Sequence, residues 1–263
     1  MTDSNLHHVL LHLHIFKNAG TTFDRALLKL FNDKMTAYDT EDPGARISIE
    51  HLTEIQRANP FSNVITSHQV GLPAPVYSNV VFHPVFFLRN PVERIQSCYH
   101  FEKDVQKLMD DDVTMEMYVR RNLNNPKINA CFGIQLATIA DSRYIINWNR
   151  DELTGVVVNS ALHNMQTARC FGLVDRFDES FEFICHRLKN FFPELRQPIT
   201  PTQQNISEAS KNITDKSKYV QESLSPQTYA EMLAALQPEI TLYETAQKVF
   251  ENRYKQYLQQ TRA

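Results

Sequence analysis

The sequence predicts an α/β fold in which helices flank a central parallel sheet, with a helix-rich C-terminal half. Nearly continuous apolar runs at 7–16, 64–66 and 80–88 are typical of strands that are buried on both faces. Helical periodicity follows the first and third runs, and strands that alternate with helices favour parallel βαβ units. The 263 residues suit one large α/β domain, with or without a small helical addition. We expect a single domain spanning 1–263.

Composition and charge exclude several classes of protein. A formal net charge of −3 gives no global reason to expect a nucleic-acid partner. No apolar run approaches the roughly 20 residues needed to span a bilayer, and the N-terminus lacks the basic start and cleavage site of a signal peptide. We therefore expect a cytoplasmic protein without a membrane span. The cysteines form no CxxC pair and are expected to be free thiols in or near the core: Cys98, Cys131, Cys170 and Cys185.

Caps and helix breakers predict the other elements. Thr21 or Thr22 is expected to cap a first helix that begins at Phe23, and Ser48 to cap a helix over 49–58. Asn90 and Pro91 are typical of a helix start. Further helices are expected at 90–109, 114–122, 126–140, 151–168 and 178–190, and two more are expected to begin at Pro226 and Pro238. A late strand is expected at 169–174.

The stretch 14–22, HIFKNAGTT, joins a buried strand to a helix start by a short turn. Backbone N–H groups at a helix N-terminus have no partner within the helix, and the helix dipole favours an anion there. Lys17 adds a positive charge, and Gly20 is expected to let the backbone approach a ligand closely. This geometry is common in phosphate sites, so we predict that the loop binds a phosphorylated cofactor.

A second anion site is predicted where the third apolar run ends. Arg89 lies at that strand end, and Ser97 lies two turns into the following helix. Ligand sites of open α/β sheets lie at the carboxyl ends of strands. Arg89 alone would more simply form a salt bridge with a carboxylate, but beside the first loop an anionic ligand is favoured. Two anion sites at matching strand ends imply a ligand with two separated phosphates.

Histidines provide the candidate general base. His68 leaves the end of the second strand and enters a Gly/Pro loop, where a catalytic and a structural role are both open. His12 and His14 alternate with apolar residues, so we interpret them as packed, hydrogen-bonded strand residues. His100, on the helix after Arg89, is the second choice.

The two anion motifs together resemble the sulfotransferases that use 3′-phosphoadenosine 5′-phosphosulfate (PAPS). The stretch 14–22 resembles the family's 5′-phosphosulfate loop, H-x-P-K-[TS]-[AG]-G-T-[ST], and 87–99 resembles its 3′-phosphate segment, L-R-D-P-V-x-R with a downstream Ser. Weaker similarities at 124–133, 171–180, 205–207 and 240–243 extend the resemblance along nearly the whole chain. The branch that is most similar acts on carbohydrate hydroxyls and includes the heparan sulfate 2-O- and 6-O-sulfotransferases. Phe16, Asn18 and Asn90 depart from the family's usual Pro, Thr or Ser, and Asp.

The resemblance implies a P-loop-like three-layer fold and transfer of a sulfuryl group from PAPS to an acceptor hydroxyl, expected to be that of a saccharide, with PAP (3′-phosphoadenosine 5′-phosphate) as the product. Lys17 would assist the departing 5′-phosphate, and His68 would act as the base, because that branch often has a histidine in a similar strand-end loop. The Asn18 amide would replace the missing hydroxyl donor. No metal is required. The implied cofactor-binding residues are Lys17, Asn18, Ala19, Gly20, Thr21, Thr22, Arg89, Ser97, Asn205 and Ser207.

Two other functions remain open at this point. A P-loop kinase or NTPase is one, although the Walker pattern is absent because Lys17 precedes Gly20. A catalytically silent module that binds PAP, PAPS or a saccharide is the other. The presence of Lys17, Arg89 and Ser97 argues against such a module. A phenol, a lipid or another small hydroxyl compound also remains possible as the acceptor.

Overall fold

The computed structural model describes residues 6–42, 44–199, 201 and 213–262. Four strands, β1 (His7–Leu13), β2 (Met35–Ala37), β3 (Val64–Ser67) and β4 (Val80–Val85), form a parallel sheet in the order β2-β3-β1-β4. A second parallel pair consists of β5 (Phe87–Leu88) and β6 (Gly172–Leu173). The predicted α/β fold with a central parallel sheet is therefore confirmed. The third apolar run differs from the prediction, because it divides at Phe86 into β4 and β5.

Strand β1 lies in the middle of the sheet. Its Leu10 pairs with Val64 of β3 on one side and with His83 of β4 on the other. All five residues from Val9 to Leu13 are buried. Burial on both faces explains why this segment is apolar without the alternation of a half-exposed strand.

Helices of the N-terminal half surround the sheet and carry most of their predicted caps. They are α1 (Gly20–Phe31), α2 (Ile49–Ala58), α3 (Pro91–His100), which continues into a π-helical turn (Phe101–Val105), and α4 (Met115–Asn124). Side chains of Ser48 and Asn90 accept the expected capping hydrogen bonds, and Thr114, predicted as the first residue of a helix, caps α4. The predicted threonine cap of α1 is wrong. Its N-cap is Ala19, in the left-handed conformation, and both threonines lie inside the helix.

Helices of the C-terminal half differ more from the prediction. They are α5 (Ile134–Ile139), α6 (Gly155–Thr167), α7 (Phe177–Leu188), α8 (Lys216–Glu222) and α9 (Pro226–Arg262). The helix predicted at 126–140 shrinks to α5, because Gly133 has a φ of 88° and interrupts the helix there. Pro238 was predicted to begin the last helix, but it lies inside the 37-residue α9. None of the described helices is both long and apolar enough to cross a membrane.

A buried charged cluster attaches α9 to the rest of the fold. Glu239 accepts the N–H groups of Gly133 and Gln135, at 3.0 and 2.8 Å, and so holds the start of α5. Arg94 of α3 lies 3.6 Å from the same carboxylate and donates to the Cys131 carbonyl. Removal of either Arg94 or Glu239 would leave the other charge buried without its partner, which is costly. Because Glu239 also holds the N–H groups of Gly133 and Gln135, the cluster fixes the residue at which α5 begins. All four cysteines are free thiols, three of them buried.

A second polar contact, between two histidines, lies in the sheet itself. His83 of β4 is buried, and its Nε2 lies 2.9 Å from Nδ1 of His8 on β1. The rings of Phe191 and Phe192 pack against it. Burial lowers the pKa of His83 from 6.5 to about 4, and the nearby charges of His8 and Arg169 act in the same direction.

This lowered pKa predicts that acid destabilises the fold through His83. Between pH 6.5 and about 4 the unfolded chain binds a proton at this position that the folded chain does not, so the free energy of unfolding falls as the pH falls. We expect His83→Phe to reduce the slope of unfolding free energy against pH in this window, as measured by urea unfolding at several pH values. The exposed His163 provides the control. A His83→Phe slope equal to that of wild type and of His163→Gln would contradict the prediction.

Candidate functional site

The carboxyl ends of β1, β3 and β5 carry the predicted functional residues. The loop at 14–19 follows β1, His68 follows β3 and Arg89 follows β5. This is the sheet edge at which parallel α/β folds bind ligands. In the loop, Lys17 and Ala19 have φ values of 62° and 61°. Left-handed backbone at residues other than glycine is costly and occurs most often at functional sites.

A buried amide joins the loop after β1 to the end of β5. Gln135, the second residue of α5, accepts from Asn18 Nδ2 at 2.7 Å and from the Arg89 N–H at 2.9 Å. Its own Nε2 donates to the Arg89 carbonyl at 3.1 Å. Asn18 Nδ2 also donates to the Phe87 carbonyl at 2.7 Å. These hydrogen bonds bring the two predicted anion motifs together.

The same contacts correct the part of the prediction that concerns the Asn18 side chain. Its Nδ2 donates to Phe87 and Gln135, and its N–H donates to the Ile15 carbonyl at 3.1 Å. The side chain is 1% exposed, and Oδ1 has no hydrogen-bond partner among the described residues. The amide therefore holds the loop in shape, and its donors are not directed toward a ligand.

Two cations, the buried Arg89 and the half-buried Lys17, lie close together in the site. Arg89 Nη1 donates to the Lys17 carbonyl at 3.2 Å. Within the described residues no carboxylate lies within 4.0 Å of the Arg89 guanidinium, and its buried Nε has no hydrogen-bond partner. The salt bridge that sequence reasoning offered as the simpler role of Arg89 is therefore not formed there. An arginine buried in this way has donors left for an anion.

Lys17 lies in the electrostatic field of that arginine. Burial lowers the pKa of Lys17 to about 8; the Cys98 thiol opposes this shift, and the charge of Arg89 adds to it. The ammonium lies 3.8 Å from the centroid of the Phe101 ring, which provides a cation–π contact. Phe101 begins the π-helical turn that follows α3. Ser97 is half-buried on α3, one helical turn before Phe101.

His68 has a defined hydrogen-bonding environment. Its Nδ1 lies 2.8 Å from Asp39 Oδ2, and its N–H donates to Asp39 Oδ1 at 2.8 Å. Arg46 donates to its carbonyl at 2.9 Å while stacking on Trp148. Burial lowers the pKa of His68, as does the charge of His14, whereas Asp39 works in the opposite direction. Nearly half of the side chain is exposed, so the ring is open to a ligand.

The ring of His68 stacks on that of His14, with centroids 3.9 Å apart. His14 and His12 point their Nδ1 atoms at the two oxygens of Asp24, at 2.8 and 2.6 Å. Burial tends to raise the pKa of Asp24, but the charge of His12 and the hydrogen bonds from both rings hold it well below its usual range. The strand histidines are therefore packed and hydrogen-bonded, as the sequence predicted.

His12, His14 and Asp24 also bring three ligand-type atoms within 4.8 Å of one another, a spacing that sequence reasoning did not foresee. Both imidazole Nδ1 atoms already lie at hydrogen-bond distance from the carboxylate. We therefore interpret the cluster as the polar link between β1 and α1.

Gly20 has a different role from the one predicted. A Cβ atom at this position would lie 2.1 Å from Cδ2 and 2.3 Å from Nε2 of His14. The close approach that requires glycine is therefore that of the His14 ring to the start of α1. The contact connects the histidines to the loop that carries Lys17.

The remaining predicted residues lie in three places. Ala19 begins α1 as its N-cap, with Thr21 half-buried and Thr22 buried in the first turn. His100, the second choice as base, is buried on α3 and bonds to Asp104 at 3.0 Å, and its Nε2 has no partner among the described residues. Asn205 and Ser207 lie outside the described residues.

Sequence reasoning missed Gln135, Asp24, Asp39 and Arg46. Gln135 had a usable signal, because it is a polar residue within the apolar run of α5. Asp39 had none, because the three-residue β2 was not predicted and its carboxyl end could not be located. Arg46 contacts the carbonyl of His68, which is 22 residues away in the sequence. Asp24 lies on α1 and contacts His12 on β1, and this contact depends on how the two elements pack.

The contact between Gly20 and His14 predicts a specific loss of stability. Gly20→Ala should lower the free energy of unfolding by about 1–3 kcal/mol, because the added methyl group collides with a buried ring. Gly155→Ala is the matched control, since a Cβ there meets nothing within 4 Å, and it should be neutral or stabilising by up to about 1 kcal/mol. Urea unfolding measures both. Equal stability of the two variants would contradict the packing described here.

Comparison with known proteins shows the family of the chain. An uncharacterized protein of Archaeoglobus fulgidus is 21% identical over 247 residues, which cover 90% of this chain and 94% of that protein. The model of the sulfotransferase family matches residues 2–244, which include both anion motifs, the loop of His68 and the first half of α9. The chain belongs to the sulfotransferase family.

Proposed function

We propose that this protein transfers a sulfuryl group from PAPS to an acceptor hydroxyl on a carbohydrate, within a single domain spanning 1–263 and in the cytoplasm. The observation that carries the proposal is Arg89, a buried cation without a carboxylate within 4.0 Å in the described chain, which donates to the carbonyl of Lys17. Two adjacent cations suit a ligand with two phosphates. An orphaned Nε at Arg89 fits an absent anionic group better than a purely structural role.

Each part of the site has a role in this reaction. The loop from Lys17 to Thr22 holds the 5′-phosphate at the start of α1, where helix N–H groups and the dipole favour an anion. Arg89 and Ser97 hold the 3′-phosphate and so select PAPS over ATP. Asn205 and Ser207 complete the cofactor site by the family resemblance. PAPS, when bound, supplies an activated sulfuryl group on a phosphate leaving group.

The chain contributes position and charge to the chemistry. Sulfuryl transfer resembles phosphoryl transfer, in which charge builds on the leaving oxygen and catalysis consists mostly of positioning and charge stabilisation. Lys17 neutralises that charge. Its pKa of about 8 keeps most of the ammonium protonated at neutral pH.

His68 takes the proton of the acceptor hydroxyl in this proposal. The ring of His68 stacks on that of His14, and His14 packs against Gly20 at the start of α1. These contacts bring His68 to the loop that carries Lys17. Its lowered pKa keeps the imidazole neutral and able to accept a proton near neutral pH. His100 is the weaker candidate, because its side chain is buried, whereas nearly half of the His68 side chain is exposed.

Nucleotide binding separates this proposal from a kinase. Calorimetry with PAP and with ADP should show tighter binding of PAP, because only PAP has the 3′-phosphate that Arg89 would hold. Preference for ADP would overturn the sulfotransferase proposal. Acceptors would then be screened with labelled PAPS, comparing sugars with phenols and lipids. A protein that binds PAP and transfers to none of them would be a silent binding module.

Lys17→Ala tests the role of the lysine in the chemical step. We expect turnover to fall by at least about 10²-fold, while the Kd for PAP rises much less. Lys17→Arg retains the charge and should retain part of the activity. The measurements are turnover with labelled PAPS and PAP binding by calorimetry. If kcat is unchanged while binding is lost, Lys17 is only an anchor.

Arg89→Ala tests the 3′-phosphate site. Loss of a charged hydrogen-bonding partner should raise the Kd for PAP roughly 10–100-fold, with little change in the binding of adenosine 5′-phosphosulfate, which lacks the 3′-phosphate. Arg121→Ala on the exposed face of α4 is the control. PAP affinity equal to that of wild type in Arg89→Ala would contradict the assignment.

A further inference from the structure

The Asp39 carboxylate is held by hydrogen bonds from three donors. Oδ1 accepts from the N–H of His68 and from the Oγ of Ser67, both at 2.8 Å, and Oδ2 faces His68 Nδ1 at 2.8 Å. Burial tends to raise the pKa of Asp39, but the hydrogen bonds from His68 and Ser67 lower it below its ordinary value. The carboxylate is therefore ionised and has one orientation.

This arrangement determines which nitrogen of His68 carries the proton. An ionised carboxylate only accepts hydrogen bonds, so a nitrogen at 2.8 Å from Oδ2 must be the donor. The proton of the neutral ring then lies on Nδ1, which leaves the lone pair on Nε2. Within the described residues Nε2 makes no hydrogen bond, and the side chain is nearly half exposed.

The ring of His68 is also held on its face. His14 stacks on it at 3.9 Å with an interplanar angle of 26°, and His14 is itself fixed by Asp24. Arg46 holds the backbone carbonyl of His68 at 2.9 Å. The plane and the edge of the ring are consequently fixed. The backbone of His68 is held by Arg46, a residue of the loop before α2.

We propose that Asp39 is the positioning residue of this enzyme: it fixes His68 with the proton on Nδ1, so that Nε2 is the atom that receives the acceptor's proton. The proposal rests on the proposed sulfotransferase function. As the acceptor oxygen forms its bond to sulfur, the bond from sulfur to the phosphate oxygen breaks and the hydroxyl proton moves to Nε2. Asp39 stays ionised and is hydrogen-bonded to the resulting imidazolium.

Asp39→Asn tests the assignment with a nearly isosteric change. The Asn oxygen is required at Oδ1, where two donors converge, so the NH₂ group faces His68 Nδ1. Because that group is a donor, it favours the tautomer with the proton on Nε2 and blocks the base. We expect kcat to fall by about 10²–10⁴-fold, the contribution typical of a general base, while the Kd for PAP changes less than about threefold.

The decisive readout does not depend on turnover. Nitrogen-15 chemical shifts of the His68 ring, assigned by comparison with His68→Gln and recorded with PAP bound, distinguish the two tautomers. Wild type and the exposed control Asp33→Asn should show Nδ1 protonated, and Asp39→Asn should show Nε2 protonated. An unchanged tautomer in Asp39→Asn overturns the proposal, even if stability or activity falls.

Failure of the proposed function gives a different result. Wild-type protein that binds PAP and transfers sulfate to no hydroxyl would remove the base role of His68, and with it the positioning role of Asp39, whatever the tautomer. Loss of turnover in Asp39→Asn together with the tautomer change supports both.

Discussion

Most of the site depends on one buried side chain, the amide of Gln135. It binds both backbone polar groups of Arg89 and the side chain of Asn18, and so closes the distance between two segments that are 71 residues apart in the sequence. Because the Gln135 amide is uncharged, its hydrogen bonds do not neutralise the charge of Arg89 or Lys17. A carboxylate in the same place could not donate to the Arg89 carbonyl and would add a negative charge to this part of the site. The amide therefore holds the cations close together while leaving them their charge.

The position of Gln135 in turn depends on the C-terminal helix. Glu239 of α9 accepts the N–H groups of Gly133 and Gln135, and Arg94 of α3 lies against the same carboxylate. The chain of contacts runs from α9 through α5 to the phosphate loop, and all its members are buried. The C-terminal helix is thereby part of the support of the candidate site.

The sequence was sufficient for the features that depend on local chemistry. Apolar runs located β1, β3 and β4, and the caps at Ser48, Asn90 and Thr114 follow from hydrogen bonds within a few residues. The features that were missed depend on contacts between distant segments. Asn18 was offered as a phosphate donor because its motif position implies one, but tertiary contacts use its amide. Gly20 was assigned to ligand approach, whereas the neighbour it accommodates is His14. Asp39 lies after a strand too short to give a periodic signal.

Charge is divided across the site in a way that suits the proposed reaction. The carboxylates Asp24 and Asp39 lie on the side of β1, β2 and α1, where they hold histidines. Arg89 follows β5, and within the described part of the chain no carboxylate lies within 4.0 Å of its guanidinium, whose Nη1 donates to the carbonyl of Lys17. In the proposed reaction, the carboxylate beside His68 stabilises the imidazolium that forms, and the cations bind phosphate. The His14 ring stacks on that of His68 and packs against Gly20, so it connects His68 to the loop that carries Lys17.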